Sequence, residues 1–413
     1  MLIVIIFLLL IDILAFKGLL RLIRESMRSH KRVFIAAYWF IPVALMVFMF
    51  FTWKVSNEAN HIQNQYRLFQ IASLFLLFYL PKIVFIVFHL IEDMIRAIAY
   101  FVSKWIRKPI HATTRTDHSI SRMDFLTKTG LFVASLPFLS ILYGTASGRF
   151  DFTVRRVKSS FSKIPESFKG FKLVQISDLH IGSFYGHYDQ LERAVEMINE
   201  LVPDLIVFTG DMVNDYSEEL RPCVPILKRL KATYGMYSIL GNHDYGDYHN
   251  WPSESAKEEN LKTLIQFQEE SGFRLLLNDS AVIRMGPDSI AMIGVENWGK
   301  PPFAQYGDLK KAMAKIEDVP FKILLTHDPS HWDAEVLNQT DVALTLSGHT
   351  HGFQFGIEKG NMRWSPVQYR YPRWAGLYRE GAQELYVNRG LGCIGYMGRV
   401  GIYPEITLIE LSS

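Results

Sequence analysis

At 413 residues, 49% of them hydrophobic and with a formal net charge of +3, the chain is too long for one ordinary core, and two regions are expected. A charge so near neutral singles out no acidic or basic partner. Two cysteines far apart in sequence, Cys223 and Cys393, exclude a disulfide framework and a thiolate zinc site.

The opening run MLIVIIFLLLIDILAFKGLL is long enough to cross a hydrocarbon core, which takes roughly 20 apolar residues. Its basic residues follow the apolar stretch, which favours a retained helix over a cleaved signal peptide. Further runs span about Val33 to Trp53 and Leu68 to Ile91, interrupted by Pro42 and Pro81, which membrane helices tolerate better than soluble ones. Asp12 is costly in lipid unless it faces another helix. A shorter run, GLFVASLPFLSILYG from Gly130 to Gly144, follows SRMDFLTK, Ser121 to Lys128. That octapeptide resembles a twin-arginine export signal with Met123 in place of the second arginine, and reads equally as the basic flank of a fourth membrane helix. Residues 1–147 are therefore expected to form a membrane region of three or four transmembrane helices, with 148–170 as a linker and 171–413 as a separate domain.

Loop charge sets orientation. The first connection holds Lys17, Arg21, Arg24, Arg28, Lys31 and Arg32, and the third Arg96, Lys104, Arg107, Lys108, Arg115, Arg122 and Lys128; the second has little beyond Lys54 and Arg67. The first and third connections thus read as cytoplasmic. If the fourth run crosses, the C-terminal domain of this multi-pass cell-membrane protein lies on the external face. If it does not, the domain is cytoplasmic, an alternative that Arg149, Arg155, Arg156 and Lys158 keep open.

From Phe171 onward, short apolar runs end in polar, glycine-containing turns. FKLVQIS, Phe171 to Ser177, reads as a buried strand followed by DLHIGS, and Leu191, Val195 and Ile198 mark a helix from about Asp189 to Leu201. DLIVFT, Asp204 to Thr209, is the next strand, followed by GDMVND. The βαβ arrangement implies parallel neighbours with a right-handed crossover, hence an α/β class. Later strands are expected at Met236 to Leu240, Ile290 to Gly294, Lys322 to Thr326, Val342 to Leu346, Leu385 to Asn388 and Ile406 to Leu411.

Polar residues cluster where these strands end: Asp178 and His180; Asp211; Asn242, His243 and Asp244; His327 and Asp328; and His349 and His351 in SGHTHG. The carboxyl ends of strands form the ligand crevice in open α/β sheets, so separated motifs can converge there. Singly, each has an ordinary explanation: Asp178 could cap a helix, Asn242 shape a turn, His327 sit satisfied in a core. Five recurrences in one strand-to-loop context argue for function. The donors are oxygen and imidazole without thiolate, which suits divalent manganese, zinc, iron or cobalt. Seven or eight candidates exceed what one ion needs. Two ions sharing a bridging carboxylate, about 3.5–4 Å apart, fit better.

The ordered set D-x-H, G-D, G-N-H-D, a lone H and G-H-x-H resembles the signature of the calcineurin-like metallophosphoesterases, over about Phe171 to Leu411. The whole chain resembles their membrane-anchored bacterial branch, with YVNRGLG, Tyr386 to Gly392, and PEITLIEL near the end. The resemblance implies a four-layer α/β/β/α sandwich. It implies that Asp178, His180 and His351 hold one metal, that Asn242, His327 and His349 hold a second, and that Asp211 bridges them. It also implies that His243 faces the substrate phosphate as acid or charge stabiliser, oriented by Asp244, while metal-activated water attacks phosphorus. The purple acid phosphatases carry an iron-binding tyrosine where this chain has Asn214, so that variant is disfavoured.

The substrate class expected from this resemblance is a phosphoester. Phe353 to Tyr378 interleaves Trp364, Tyr369, Tyr371 and Trp374 with Arg363, Arg370 and Arg373, either a loop with its own small core or a rim that meets anionic substrate or lipid headgroups. Membrane anchoring then favours a phosphodiester of a lipid or envelope component. Two alternatives remain: a sensory or binding membrane protein with a non-catalytic metal site, and a nuclease on the same fold. Retention of every ligand and of His243 argues against the first, and the absence of a basic stripe argues against the second and against nucleic acid as a partner.

Overall fold

The computed structural model describes residues 2–26, 31–55, 61–106, 122–360 and 362–413. They divide into two compact units, Met1–Ala59 with Gln70–Tyr143, and Asn60–Phe69 with Gly144–Ser413. The basic stretches 27–30 and 107–121, used above for orientation, and Ser121 of the export-signal resemblance lie outside the described residues.

The membrane-type helices are α1 (Leu2–Ser26), α2 (Lys31–Val55), α3 (His61–Ile106) and α4 (Arg122–Ala146). All four contain a span long and apolar enough to cross a membrane: Ile3–Leu20, Lys31–Thr52, His61–Trp105 and Phe125–Ala146. In the first unit Leu8, Ile11, Ala15, Leu45, Tyr79, Phe85, Ile86 and Ala134 pack together, while Phe7, Phe40, Phe51 and Phe132 point outward. An exterior this apolar suits a lipid solvent. Asp12 is fully buried and has its partners on other helices: Lys82 Nζ at 2.5 Å and the Tyr79 hydroxyl at 3.0 Å on its carboxylate, with the Tyr38 hydroxyl on its carbonyl. Removing one member of such a pair strands a buried charge. Lys82→Met is therefore expected to destabilise the first unit by about 3–5 kcal/mol. Asp12→Leu combined with Lys82→Met should recover much of that loss, measured by thermal unfolding in detergent.

The second unit runs β1 (Thr153–Ser160), β2 (Lys172–Ile176), α5 (Tyr188–Glu200), β3 (Leu205–Phe208), α6 (Val224–Leu227), β4 (Met236–Ser238), α7 (Glu254–Glu270), β5 (Phe273–Leu275), β6 (Asp279–Met285), β7 (Asp288–Gly294), α8 (Leu309–Met313), β8 (Lys322–Leu325), β9 (Leu344–Ser347), β10 (Ile357–Lys359), β11 (Met362–Trp364), β12 (Gly376–Glu380), β13 (Gln383–Val387) and β14 (Glu405–Ser412). Every strand expected from the sequence is present. Thr153–Ser160, inside the stretch read as a linker, forms an additional strand, paired in parallel with β14.

Two six-stranded sheets, β1-β14-β2-β3-β4-β5 and β12-β13-β9-β8-β7-β6, face each other across Leu173, Leu205, Val207 and Ile239 from one and Ile290, Met292, Ile323 and Leu344 from the other. On the outer face of the first sheet, Leu191, Val195 and Ile198 of α5 and Leu264 and Phe267 of α7 cover Val174, Ile206 and Phe208. On the outer face of the second, Leu309 and Ala312 of α8 with Trp332 and Val336 cover Ala291, Ile293 and Leu324. The layers are thus α/β/β/α. The strands β2 to β5 pair in parallel, as do β7, β8, β9 and β13, so the carboxyl ends of β2, β3 and β4 and those of β8 and β9 carry the five motifs. The first turns of α3 belong to this unit: Gln65 Nε2 donates to Asp215 Oδ2 at 2.8 Å, and the Tyr66 and Tyr185 rings lie 5.5 Å apart.

Candidate metal centre

Three of the five motifs leave their strands through turns in the left-handed region. Asp178 (φ 48°), His180 (φ 38°), Asp211 (φ 61°), His349 (φ 71°) and His351 (φ 50°) are half of the ten non-glycine residues with positive φ among the described residues. Asp and His tolerate that region better than most residues, and such backbone persists only where its surroundings hold it. Here the turns hold one another: Asp178 N donates to the Gly210 carbonyl and His180 N to that of Asp211, and His349 N donates to Asp178 Oδ1 at 2.9 Å. Gly348 makes the approach possible. A Cβ there would meet Ser177 Oγ at 2.0 Å and Asp178 Oδ2 at 2.2 Å.

Asp178, His180, Asp211 and His351 each bring one donor atom into a group spanning no more than 4.8 Å, and all four are buried. The Nε2 atoms of His180 and His351 face each other at 3.0 Å, His180 Nε2 is 3.4 Å from Asp211 Oδ2, and His351 Nε2 is 3.3 Å from Asp178 Oδ1. The remaining candidates adjoin this group. His327 Nε2 lies 3.2 Å from Asp211 Oδ2, Asn242 Oδ1 lies 2.9 Å from His349 Nδ1, and the His327 and His349 rings are 5.1 Å apart. Asp211 Oδ2 thus touches imidazoles of both sets, while its Oδ1 accepts from His243 N at 2.9 Å.

These donors fit a cation. His327 Nδ1 donates to the Thr209 carbonyl at 2.7 Å, which leaves Nε2 with a lone pair, buried and without a hydrogen-bond partner. Two Nε2 atoms at 3.0 Å cannot both offer lone pairs to each other unless a proton or a cation lies between. Ionisation in the ion-free protein follows the same need for positive charge. Burial pushes the Asp178 carboxyl up to about 6, opposed by the His327 imidazole and reinforced by Asp211. Asp211 is equally buried, yet the imidazoles of His327, His243 and His180 around it hold it well below its usual range. Burial resists protonation of His327, but the Asp211 carboxylate outweighs it and raises the imidazole to about 10. Burial drives His243 down to about 4.

The Asp244 carboxylate is held by backbone amides, and no hydrogen bond joins it to the His243 ring among the described residues. Its Oδ2 accepts from the amides of Asp211 and Gly241 at 2.9 Å, and its Oδ1 from Met212 and Val213 at 2.8 and 3.2 Å, so it ties the Asp211 turn to the G-N-H-D turn. The group that holds His243 is the Asn214 carbonyl, 2.8 Å from Nδ1. Sequence reasoning also missed Glu219, whose buried carboxylate gathers the amides of Gly182, Asn214, Asp215 and Tyr216 and the Asn214 side chain at 2.8 Å. Its signal was one acid in the run DYSEE, eight residues beyond Asp211, which nothing in the sequence distinguishes from its surface neighbour Glu218.

The aromatic and basic segment divides. Tyr371 and Trp374 are buried with Val367, Ala375 and Ile402 in a small core of their own, whereas Tyr369 is 81% exposed. Arg363 pairs with Glu358 and Arg373 with Asp333, and Arg370 donates to the Pro301 carbonyl. The Tyr371 hydroxyl reaches the site, 2.8 Å from His349 Nε2.

Buried carboxylates and imidazoles gathered at the carboxyl ends of two facing sheets define a metal-binding α/β/β/α protein. Comparison with known proteins sharpens this. Residues 171–353 match the family described as "Calcineurin-like phosphoesterase", and residues 1–149 match "Probable Calcineurin-like phosphoesterase, transmembrane domain". The Bacillus subtilis (strain 168) metallophosphoesterase YkuE is 36% identical over 63% of this chain and 85% of its own length. A Danio rerio "Transmembrane protein with metallophosphoesterase domain" is 30% identical over 65% of this chain, which spans 60% of that protein. Phosphodiesterase YaeI of Escherichia coli (strain K12) is 27% identical over 71% of this chain and 99% of its own length. The chain belongs to the calcineurin-like metallophosphoesterases. It is a membrane-linked, metal-dependent phosphoester hydrolase of a family that uses divalent ions.

Proposed function

We propose that this protein hydrolyses a phosphodiester carried by a lipid or another envelope component, with two divalent ions held by Asp178, His180 and His351 and by Asn242, His327 and His349, and with Asp211 between them. The observation that carries the reading is the convergence of five strand-end motifs on Asp211, whose Oδ2 lies within 3.4 Å of His180 Nε2 and 3.2 Å of His327 Nε2. When bound, the ions supply Lewis-acid polarisation of phosphate oxygens and a deprotonated water near neutral pH. The chain's own work is orientation: His327 fixed through Thr209, Asp211 through the His243 amide, and His243 through Asn214, which leaves its Nε2 as the ring atom facing the substrate, an acceptor in the neutral ring and a donor only once the ring takes up a proton. A diester is favoured by the name of the Escherichia coli relative, and an amphiphilic one by the membrane link and by the exposed Phe353 and Tyr369 beside the His349–His351 loop. Exhaustive chelation is expected to abolish hydrolysis of lipid, nucleotide and aryl phosphodiesters, and manganese, zinc or cobalt to restore it. Undiminished turnover with metal content confirmed as nil would overturn the reading.

The catalytic domain is placed by this proposal on the external face, after four crossings. Support comes from the basic residues of the first and third connections. Arg155, one of the basic residues that favoured the alternative, belongs to β1 and pairs with Glu358 at 2.8 Å. Reporter fusions in 56–60 and after Ser413 are expected to be external alike. A cytoplasmic report from Ser413 would mean that α4 does not cross.

A further inference from the structure

Asn242 and His349 meet through Oδ1 and Nδ1, 2.9 Å apart. Each has its other polar atom on a tyrosine hydroxyl: Asn242 Nδ2 donates to Tyr248 at 2.9 Å, and His349 Nε2 lies 2.8 Å from Tyr371. Neither tyrosine belongs to a ligand motif. Tyr248 follows the G-N-H-D turn, and Tyr371 sits in the aromatic and basic segment. We propose that Tyr248 and Tyr371 are a pair of positioning residues that commit the donor atoms of Asn242 and His349 to one metal ion, an inference that rests on the reading of those two residues as ligands.

Both ligands have a wrong way round. An asparagine amide turned by half a revolution presents NH₂ instead of oxygen, and a neutral imidazole can carry its proton on either nitrogen. Tyr248 holds the Asn242 NH₂ away from His349 and so turns Oδ1 toward it. Tyr371 accepts the His349 Nε2 proton and so leaves the Nδ1 lone pair for the ion, the part that outer partners of ligating histidines play. The two hydroxyls differ in how firmly they are held. Tyr371 is 6% exposed and packs with Val367, Trp374, Ala375 and Ile402, with Phe303 closing the other side of His349 at 5.0 Å between rings. Without its oxygen, the buried N–H is left with only the Asp328 carboxylate, 3.9 Å away and beyond hydrogen-bond reach. Tyr248 is 50% exposed, its ring 4.6 Å from that of His243, and water can replace its hydroxyl. The small core of the 353–378 segment thereby acquires a purpose, which is to deliver one phenol to His349.

The test is manganese titration of the metal-free, full-length protein in detergent by calorimetry, with bound metal counted by elemental analysis. Phenylalanine keeps each ring and its packing. Tyr371→Phe is expected to weaken one of two ions by roughly 10- to 100-fold, the usual cost of losing an outer-shell partner, and to leave the other unchanged. Tyr248→Phe should weaken the same ion by less, and the double variant by at least as much as Tyr371→Phe. Thermal unfolding of the metal-free variants should stay near that of the parent, which a merely structural role would not predict. Asn242→Ala and His349→Ala are the controls. If they lose one ion while the double tyrosine variant binds both as the parent does, the tyrosine proposal is overturned and the ligand reading stands. If the alanine variants also keep both ions, the ligand reading falls and the tyrosine proposal with it.

Discussion

Asp211→Asn is expected to deplete both metal positions and to cost more than the loss of any ligand that serves only one. Its Oδ2 is within 3.4 Å of His180 Nε2 and 3.2 Å of His327 Nε2, so one atom faces imidazoles from both sets. The side chain is 2% exposed and held ionised by its surroundings. Asparagine is nearly isosteric but removes the charge, and in one orientation it turns an NH₂ toward nitrogen lone pairs. Affinity at both positions should fall by more than the ~10- to 100-fold typical of an outer-shell change. Elemental analysis after dialysis should then find less than one ion per chain, against about one for His180→Ala or His327→Ala if two ions are bound as proposed. Loss of a single ion from Asp211→Asn, with the other retained at parental affinity, would mean that the carboxylate does not bridge.

How much of this was legible in the sequence depended on burial. The parallel strands β2, β3, β8 and β9 are covered on both faces, so they appear as mainly apolar runs, LIVF in β3 and ILL in β8, with Gln175 in β2 and Thr345 in β9 as buried polar exceptions. Each run ends where a candidate ligand begins, which made the site easier to read than the fold around it. Strand β1 was invisible for the opposite reason. It is an edge strand, TVRRVKSS, mostly half-buried with a polar face, and its arginines and lysine read as juxtamembrane charge. The three-residue strands β5, β10 and β11 are too short for any period to show, and α7 has too little apolar bias along its 17 residues to stand out.

Partnerships across the fold were less legible still. A lone aspartate in α1 announces a buried charge, but only packing shows that Lys82, seventy residues on, neutralises it. Asp244 beside His243 suggested a histidine–carboxylate pair, yet adjacent side chains in a tight turn point apart, and four amides claim the carboxylate instead. One local signal was available. Asp and His recur immediately after strands at Asp178, His180, Asp211, His349 and His351, and these residue types are enriched in the left-handed conformation that all five adopt.

His243→Ala is expected to separate catalysis from metal binding. His243 lies between Asn242 and the amide-bound Asp244, with its Nδ1 on the Asn214 carbonyl and its ring 5.0 Å from that of His180. Its imidazole has no place in the four-residue group, and its amide, not its ring, touches Asp211. Removing the ring should therefore leave both ions and the fold in place while lowering kcat by about 10²- to 10⁴-fold, the range for a positioned acid–base group. An interaction made only as charge develops on the leaving oxygen acts on kcat more than on binding. The loss should be greatest for diesters with a poor alkoxide leaving group and smallest for an activated aryl ester, which departs without protonation. Loss of an ion from the variant would make His243 a ligand. An equal, modest loss for every leaving group, with both ions retained, would leave His243 the task of positioning substrate and assign protonation to water or to another residue.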